Sequence, residues 1–367
     1  MERMTAEPIA TAWSQRADMA EAAVVSRHLR RLCVPGVELA VIGWPATRAE
    51  RGFLTWDYWW QAHLVDCAVD AANRSPSPER TKRISAVARG IRTRNLTGWT
   101  NRYYDDMAWL ALALERAERT QGLTDLRHGL AALEADLAGG FQPQVGALPW
   151  RKGDDYFNAP ANGPAGIALA RFGHTELALE ISDWLDKNLR DGDSGLILDG
   201  IHLPGGEIER PTFTYCQGVV LGLETELALR TGETRHVERA QRLLDAVDEH
   251  LTHDGVVAGG GGGDGGLFNG ILLRYLGLVA VMLPGADVAQ VATRRTAARI
   301  VLASARAAWD HRLEVEGEPL FGPDWTHAAQ LPGSNDLLSA RPERALSVQL
   351  SGWLAMEAAY LVSAAGY

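Results

Sequence analysis

The sequence predicts an all-α protein built as an (α/α)6 barrel, and three observations carry that expectation. Apolar residues recur at helical spacing between Gly, Pro, Asn and Asp breaks along the whole 367-residue chain, with hardly any strand-like alternation. The periodic segments number twelve, enough for six hairpins. They also alternate in character: 234–251 carries seven charged residues and 175–189 five, whereas 159–171, 268–283 and 345–365 carry only Arg171, Arg274 and Glu357. A helix apolar on every side has to be buried, and one with a charged face meets water. Alternation of the two kinds makes an inner and an outer ring.

In chain order the spacing predicts helices over 6–32, 55–73, 79–92, 104–120, 123–138, 159–171, 175–189, 212–231, 234–251, 268–283, 286–309 and 345–365. The even-numbered ones are the inner ring. Long loops over 139–158, 190–211, 252–267 and 310–344 crowd around one mouth of such a ring. An α-solenoid uses similar hairpins, but no fixed-period repeat is present. A single domain over 1–367 is the expectation.

An apolar fraction of 46% belongs to a folded globule, and a formal charge of −10 argues against nucleic acid or an anionic membrane surface as the partner. No window nears the run of about 20 apolar residues that a membrane span needs. Cys33, Cys67 and Cys216 form no disulfide framework. Met1 to Val25 carries acids and lacks a secretory apolar run, so a cytoplasmic monomer is expected. There is no HExxH or G-x-S-x-G pattern. The glycine run 259–266 has no GK[ST], so neither metal nor cofactor is expected.

Candidate chemistry concentrates where inner helices begin. Asp105 and Asp106 open a strongly apolar helix, with Tyr104 beside them as a candidate for binding substrate. One Asp suffices to cap a helix, and two adjacent carboxylates at a buried end repel, so one holds its proton. Consecutive residues place carboxyl groups about 5–6 Å apart, the spacing of a retaining glycosidase. Tryptophans at helix starts and in loops, Trp60 and Trp325 among them, suit sugar rings, with Gln61 beside Trp60 to bond a hydroxyl. Asp155, Asn158 and Asn162 precede or open helix 159–171, Tyr215 and Gln217 open 212–231, and Asp264 is the one chemically versatile side chain of the glycine run. Each of these also has an ordinary capping or turn role.

The segments YYDDMAWLALAL (103–114), YFNAPANGPAGIALAR (156–171), TYCQGVVLGLETELAL (214–229) and GDGGLFNGILLRYL (263–276) resemble glycoside hydrolase family 76, the α-1,6-mannanases. With YWWQAHLVD (58–66) the resemblance covers most of 55–283. It implies an (α/α)6 barrel and retaining cleavage within α-1,6-linked mannan, with Asp105 as nucleophile and Asp106 as acid/base. Cys216 and Asn269 depart from the family, which usually has Asn and Lys there. Other readings stay open: a mannan transglycosylase, a carbohydrate-binding protein with a dead site, or a sugar isomerase or epimerase. Those last enzymes work with histidine bases, and His63 is the one histidine placed on an inner helix.

Overall fold

The computed structural model describes residues 6–334 and 336–367; of the segment read for a leader, residues 1–5 lie outside them. Among the described residues the long helices are α1 (Ala6–His28), α3 (Tyr58–Arg74), α4 (Pro78–Arg94), α5 (Tyr104–Gln121), α6 (Arg127–Gly140), α7 (Ala159–Phe172), α8 (Thr175–Asn188), α9 (Thr214–Thr231), α10 (Thr234–Leu251), α11 (Phe268–Met282), α12 (Val288–Asp310) and α13 (Leu346–Ala364). These are the twelve expected segments. A one-turn helix, α2 (Arg48–Arg51), and nine strands of two or three residues occupy the loops. The first helix stops at His28 rather than residue 32, because Leu29–Arg31 pairs antiparallel with Glu38–Ala40.

The charge-poor helices pack on one another in sequence: α3 on α5, then α7, α9, α11 and α13, and α13 returns to α3. The charged helices α4, α6, α8, α10 and α12 each lie against the buried helix before them, and α1 lies against α13. Glycines let the buried helices approach closely. A Cβ on Gly218 would stand 2.9 Å from the Leu272 Cα, and one on Gly270 would stand 2.6 Å from the Ser351 Cα. The buried apolar side chains form one contiguous cluster. One expectation needs correcting: Gly263–Met282 is long and apolar enough by length and composition to cross a membrane. It is 67% buried inside the fold, because α11 belongs to the inner set and is apolar all round for that reason.

The two ends of the inner helices are built differently. At the C-terminal ends, buried ions join neighbours. Asp66 and Asp70 of α3 meet Arg116 of α5 and Arg274 of α11. Arg74 meets Glu357 of α13 at 2.9 Å, and Arg171 of α7 meets Glu115 of α5 at 3.3 Å and Glu226 of α9 at 3.0 Å. Every inner helix takes part.

At the N-terminal ends, side-chain amides hold the incoming loops. Gln61, Asn162, Gln217 and Gln349 are each the fourth residue of their helix. Each accepts from the N–H and donates to the C=O of one loop residue at 2.7–3.0 Å: Ala40, Leu148, Ile197 and Phe321 respectively. A buried loop backbone needs such partners. Gln217→Leu removes both bonds and leaves a buried N–H and C=O unpaired. The expected loss of stability is about 2–3 kcal/mol, read by chemical denaturation.

Candidate active site

Asp105 and Asp106 stand in the first turn of α5, and the loops around them supply one donor to each. Asn101 accepts the Tyr103 N–H on its Oδ1 at 2.7 Å. That fixes its amide so that Nδ2 donates to Asp106 Oδ2, also at 2.7 Å. Trp150 is pinned by its own backbone, with its N–H on Tyr156 O at 2.7 Å and its C=O taking the Tyr104 N–H at 2.9 Å. Its indole donates to Asp105 Oδ2 at 2.9 Å, while Asp105 Oδ1 takes the Asp106 N–H at 2.8 Å. The N-cap of α5 is Tyr103, without a side-chain cap bond, so neither Asp is the cap; Asp105, the second residue of the helix, satisfies one first-turn N–H from within it, and Asp106 satisfies none.

Two further carboxylates face the pair. Asp57 caps α3 by accepting the Trp60 N–H. Asp264, from the glycine run, accepts the indole N–H groups of Trp59 and Trp60 at 3.1 and 3.0 Å. Glycine is required for that delivery: Gly260 has φ 153°, and a Cβ there would sit 1.6 Å from the Pro323 carbonyl oxygen.

Carboxylates gathered this closely oppose one another's ionisation. Burial, and then the charges of Asp105 and Asp57, push the Asp106 carboxyl well above its ordinary value. Burial raises Asp105 to about 6, opposed by the Asp106 N–H and the Trp150 indole, which favour its ionised form. Burial and the Asp264 charge lift Asp57 to about 7. The arrangement separates a proton-holding Asp106 from a more readily ionised Asp105.

Aromatic rings form a wall beside these acids. Tyr215 and Phe268 stack 3.9 Å apart, Trp59 stands 6.5 Å from each, and the half-exposed Phe213 lies 5.2 Å from Phe268. Trp59 and Trp150 are two of the tryptophans at helix starts and in loops that the sequence marks for sugar rings, and Asn101 opens the segment that holds the Asp pair; Asp57, Phe213 and Phe268 were not among the sequence candidates for binding or catalysis. Asp57 had a legible signal, an Asp immediately before Tyr-Trp-Trp at a helix start.

The structure uses several candidates otherwise. Gln61, Asn162 and Gln217 spend their amides on loop backbone, as described above, and are not open to a ligand. Asn158 caps α7 through the Ala161 N–H. Tyr104 turns away from Asp105 and packs against α6, where a Cβ on Gly140 would fall 2.2 Å from its ring. Trp325 is 2% exposed, so its faces are covered. Asp155 is exposed on the rim, 3.4 Å from His202. Trp60 is buried and presents its indole N–H to Asp264. His63 lies beneath the wall, 4.6 Å from the Trp109 ring, with burial holding it down at about 3 and both nitrogens without a partner. An imidazole so covered and with so low a proton affinity is no base for an isomerase. Cys216 is buried against Asp199, and Asn269 accepts from Thr214 and donates to the Gly259 carbonyl. Among the described residues, no group of three or more His, Cys, Asp or Glu is placed to hold a metal ion.

The profile of glycosyl hydrolase family 76 matches residues 45–347. The chain belongs to that family. Among solved structures, the GH76A α-1,6-mannanase from Salegentibacter sp. HEL1_6 is similar at a TM-score of 0.82 and 27% identity, covering 95% of this chain and 99% of that one. An inactive variant of the same mannanase, with two consecutive aspartates replaced by asparagine, is solved in complex with α-1,6-mannotriose. The Lin0763 protein of Listeria innocua is similar at 0.80 and 26% identity, over 95% and 96% of the two chains. Dfg5 of Chaetomium thermophilum, in complex with glucosamine, shares the fold at 0.74 and 19% identity, over 98% and 92%. No curated protein sequence matches the chain.

The raised Asp57 has a consequence for stability. Its carboxyl is neutral in both folded and unfolded chains below about pH 3.8, and its ionised form is penalised only in the fold, so stability falls as pH rises through about 7. Asn caps a helix as well as Asp does. Asp57→Asn is expected to raise the melting free energy at pH 8 by on the order of 1–2 kcal/mol and to leave it unchanged near pH 3.5, read by calorimetry at both pH values.

Proposed function

We propose that this family 76 protein is a retaining, endo-acting glycoside hydrolase of α-1,6-linked mannan, working in an (α/α)6 barrel closed by the circuit of inner helices. The observation that carries the reading is the split environment of the Asp105–Asp106 pair. Asp105, held by N–H donors on both oxygens at the positive end of α5, is the nucleophile. Asp106, kept protonated by its burial and its acidic neighbours, is the acid/base.

In the first step an Asp105 oxygen bonds the anomeric carbon of the sugar as the glycosidic C–O bond breaks, and Asp106 gives its proton to the departing oxygen. In the second, Asp106 takes a proton from water, whose oxygen displaces Asp105 from the anomeric carbon. Two inversions leave the product α-configured. The inactive mannanase with two consecutive aspartates replaced, bound to an α-1,6-mannotriose, supports both the pair and the linkage. Tyr215, the adjoining rings and the free oxygen of Asp264 are the groups offered to the sugar.

Proton NMR of linear α-1,6-mannohexaose with the enzyme tests the reading. Shorter products that first appear as α anomers are expected, and Asp105→Asn and Asp106→Asn should each lower turnover by at least about a thousandfold without loss of folding. Full activity in both variants overturns it, and longer products would mean that a sugar replaces water in the second step. Trp150→Phe removes a donor that favours ionised Asp105. Its acidic limb in the pH–rate profile should therefore move to higher pH, while the basic limb, set by Asp106, stays in place.

A further inference from the structure

One cavity away from the cleft and from the ionic end has a lining of one charge sign. It is an open hollow of about 520 Å3 between the segment that enters α3 and the segment that enters α13, lined by Arg30, the exposed Arg48 and Arg51, Ser334 and the stretch Trp44–Thr47. Sites for small molecules run ~300–1,000 Å3. In a chain with 46 acidic and 36 basic residues, this lining holds three arginines and no carboxylate.

Many other arginines in the fold meet a carboxylate, although Arg16, Arg92, Arg94, Arg102, Arg294, Arg295 and Arg306 form no ion pair among the described residues. Arg74 meets Asp18 and Glu357, and Arg344 meets Glu50. Among the described residues, Arg30, Arg48 and Arg51 enter no such pair. Arg30 donates to the Ser26, Arg27 and Leu29 carbonyls at the end of α1, and Arg51 gives one bond to the Ala46 carbonyl at 2.9 Å. The neighbouring carboxylate, Glu50, is taken up by Arg344 and by the Thr47 N–H. Burial and the Arg51 charge hold the Arg30 guanidinium below its ordinary value. The wall is firm: the Trp44 N–H bonds the Arg344 carbonyl at 2.8 Å, Gly43 bridges to Ala345, and Arg27 packs 4.9 Å behind the Trp44 ring.

We propose that this cavity binds a phosphoryl group. Several guanidinium forks match a dianion with three acceptor oxygens better than a single-charged carboxylate, the Thr47 and Ser334 hydroxyls are further donors, and the Trp44 face suits the sugar of a phosphate ester. Both bounding segments enter inner helices at their N-terminal ends, so the cavity lies at the same end of the ring as the Asp pair. The phosphate is either free or carried on a saccharide. The inference stands whether or not the protein cleaves mannan.

The test is titration calorimetry with inorganic phosphate and with mannose 6-phosphate, on the unmodified chain and on Arg48→Ser/Arg51→Ser, with circular dichroism to establish folding. Saturable binding is expected, weakened by added salt and at least tenfold weaker in the double variant. Equal affinity for the two probes assigns the site to the free ion, and tighter binding of the ester assigns it to a phosphorylated sugar. Absence of saturable binding by both probes, or binding unchanged in a folded double variant, overturns the proposal.

Discussion

A helix buried along its flanks can place polar groups only at its ends, and here six such helices lie side by side. Their C-terminal ends carry the ions. Asp66 and Asp70 on α3 are shared by Arg116 and Arg274 from two other helices, so removing either arginine leaves a buried carboxylate underpaired, the costly outcome for a charge out of water. Their N-terminal ends carry backbone N–H groups that no preceding turn can satisfy. Loops must come to them, and amides such as Gln349 hold those loops by their backbone.

The acidic cleft follows from the same arrangement. Unspent N–H groups and a partial positive charge collect at the N-terminal ends, and carboxylates are the side chains that answer them: Asp57 on the Trp60 N–H and Asp105 on the Asp106 N–H. Converging ends bring these acids together with Asp264, which meets the indoles of Trp59 and Trp60. The ring geometry that solves a capping problem for each helix thus gathers enough negative charge that protons are retained on Asp57 and Asp106. Retained protons are a by-product of bringing these helix ends together.

How much was legible depends on position within the first turn. Successive residues rotate by about 100°, so the first, second and fourth residues of an inner helix face different surroundings. In α3 and α5 the first residue points away from the cleft: Tyr58 bonds the Trp99 carbonyl and Tyr104 packs on Gly140. In α11 the first residue, Phe268, stacks on Tyr215 in the wall. Second residues, Trp59, Asp105 and Tyr215, face the cleft. Fourth residues of α3, α7, α9 and α13 hold loops. Composition and periodicity revealed the helices, their burial and the Asp pair, because those are local properties. Tyr104, Gln61 and Gln217 were read as ligands because polarity beside a motif says nothing of direction, which depends on where each helix begins, to within one residue. Trp325 failed differently, since its burial comes from a loop that has no period to read.

The glycine run shows the same limit from the other side. Its composition, GGGGGDGG, reads as slack, and slack chain cannot hold a charge in place. In the structure Gly260 presses on the Pro323 carbonyl, and a Cβ on Gly262 would stand 2.7 Å from the Leu338 carbonyl oxygen. The glycines are there for close approach between loops rather than for motion. Their effect is to carry Asp264 from the start of α11 to the first turn of α3, where two indole donors fix one of its oxygens. A single loop thereby raises the proton affinity of acids at the starts of two other helices, adding to what Asp105 and Asp57 already do for Asp106.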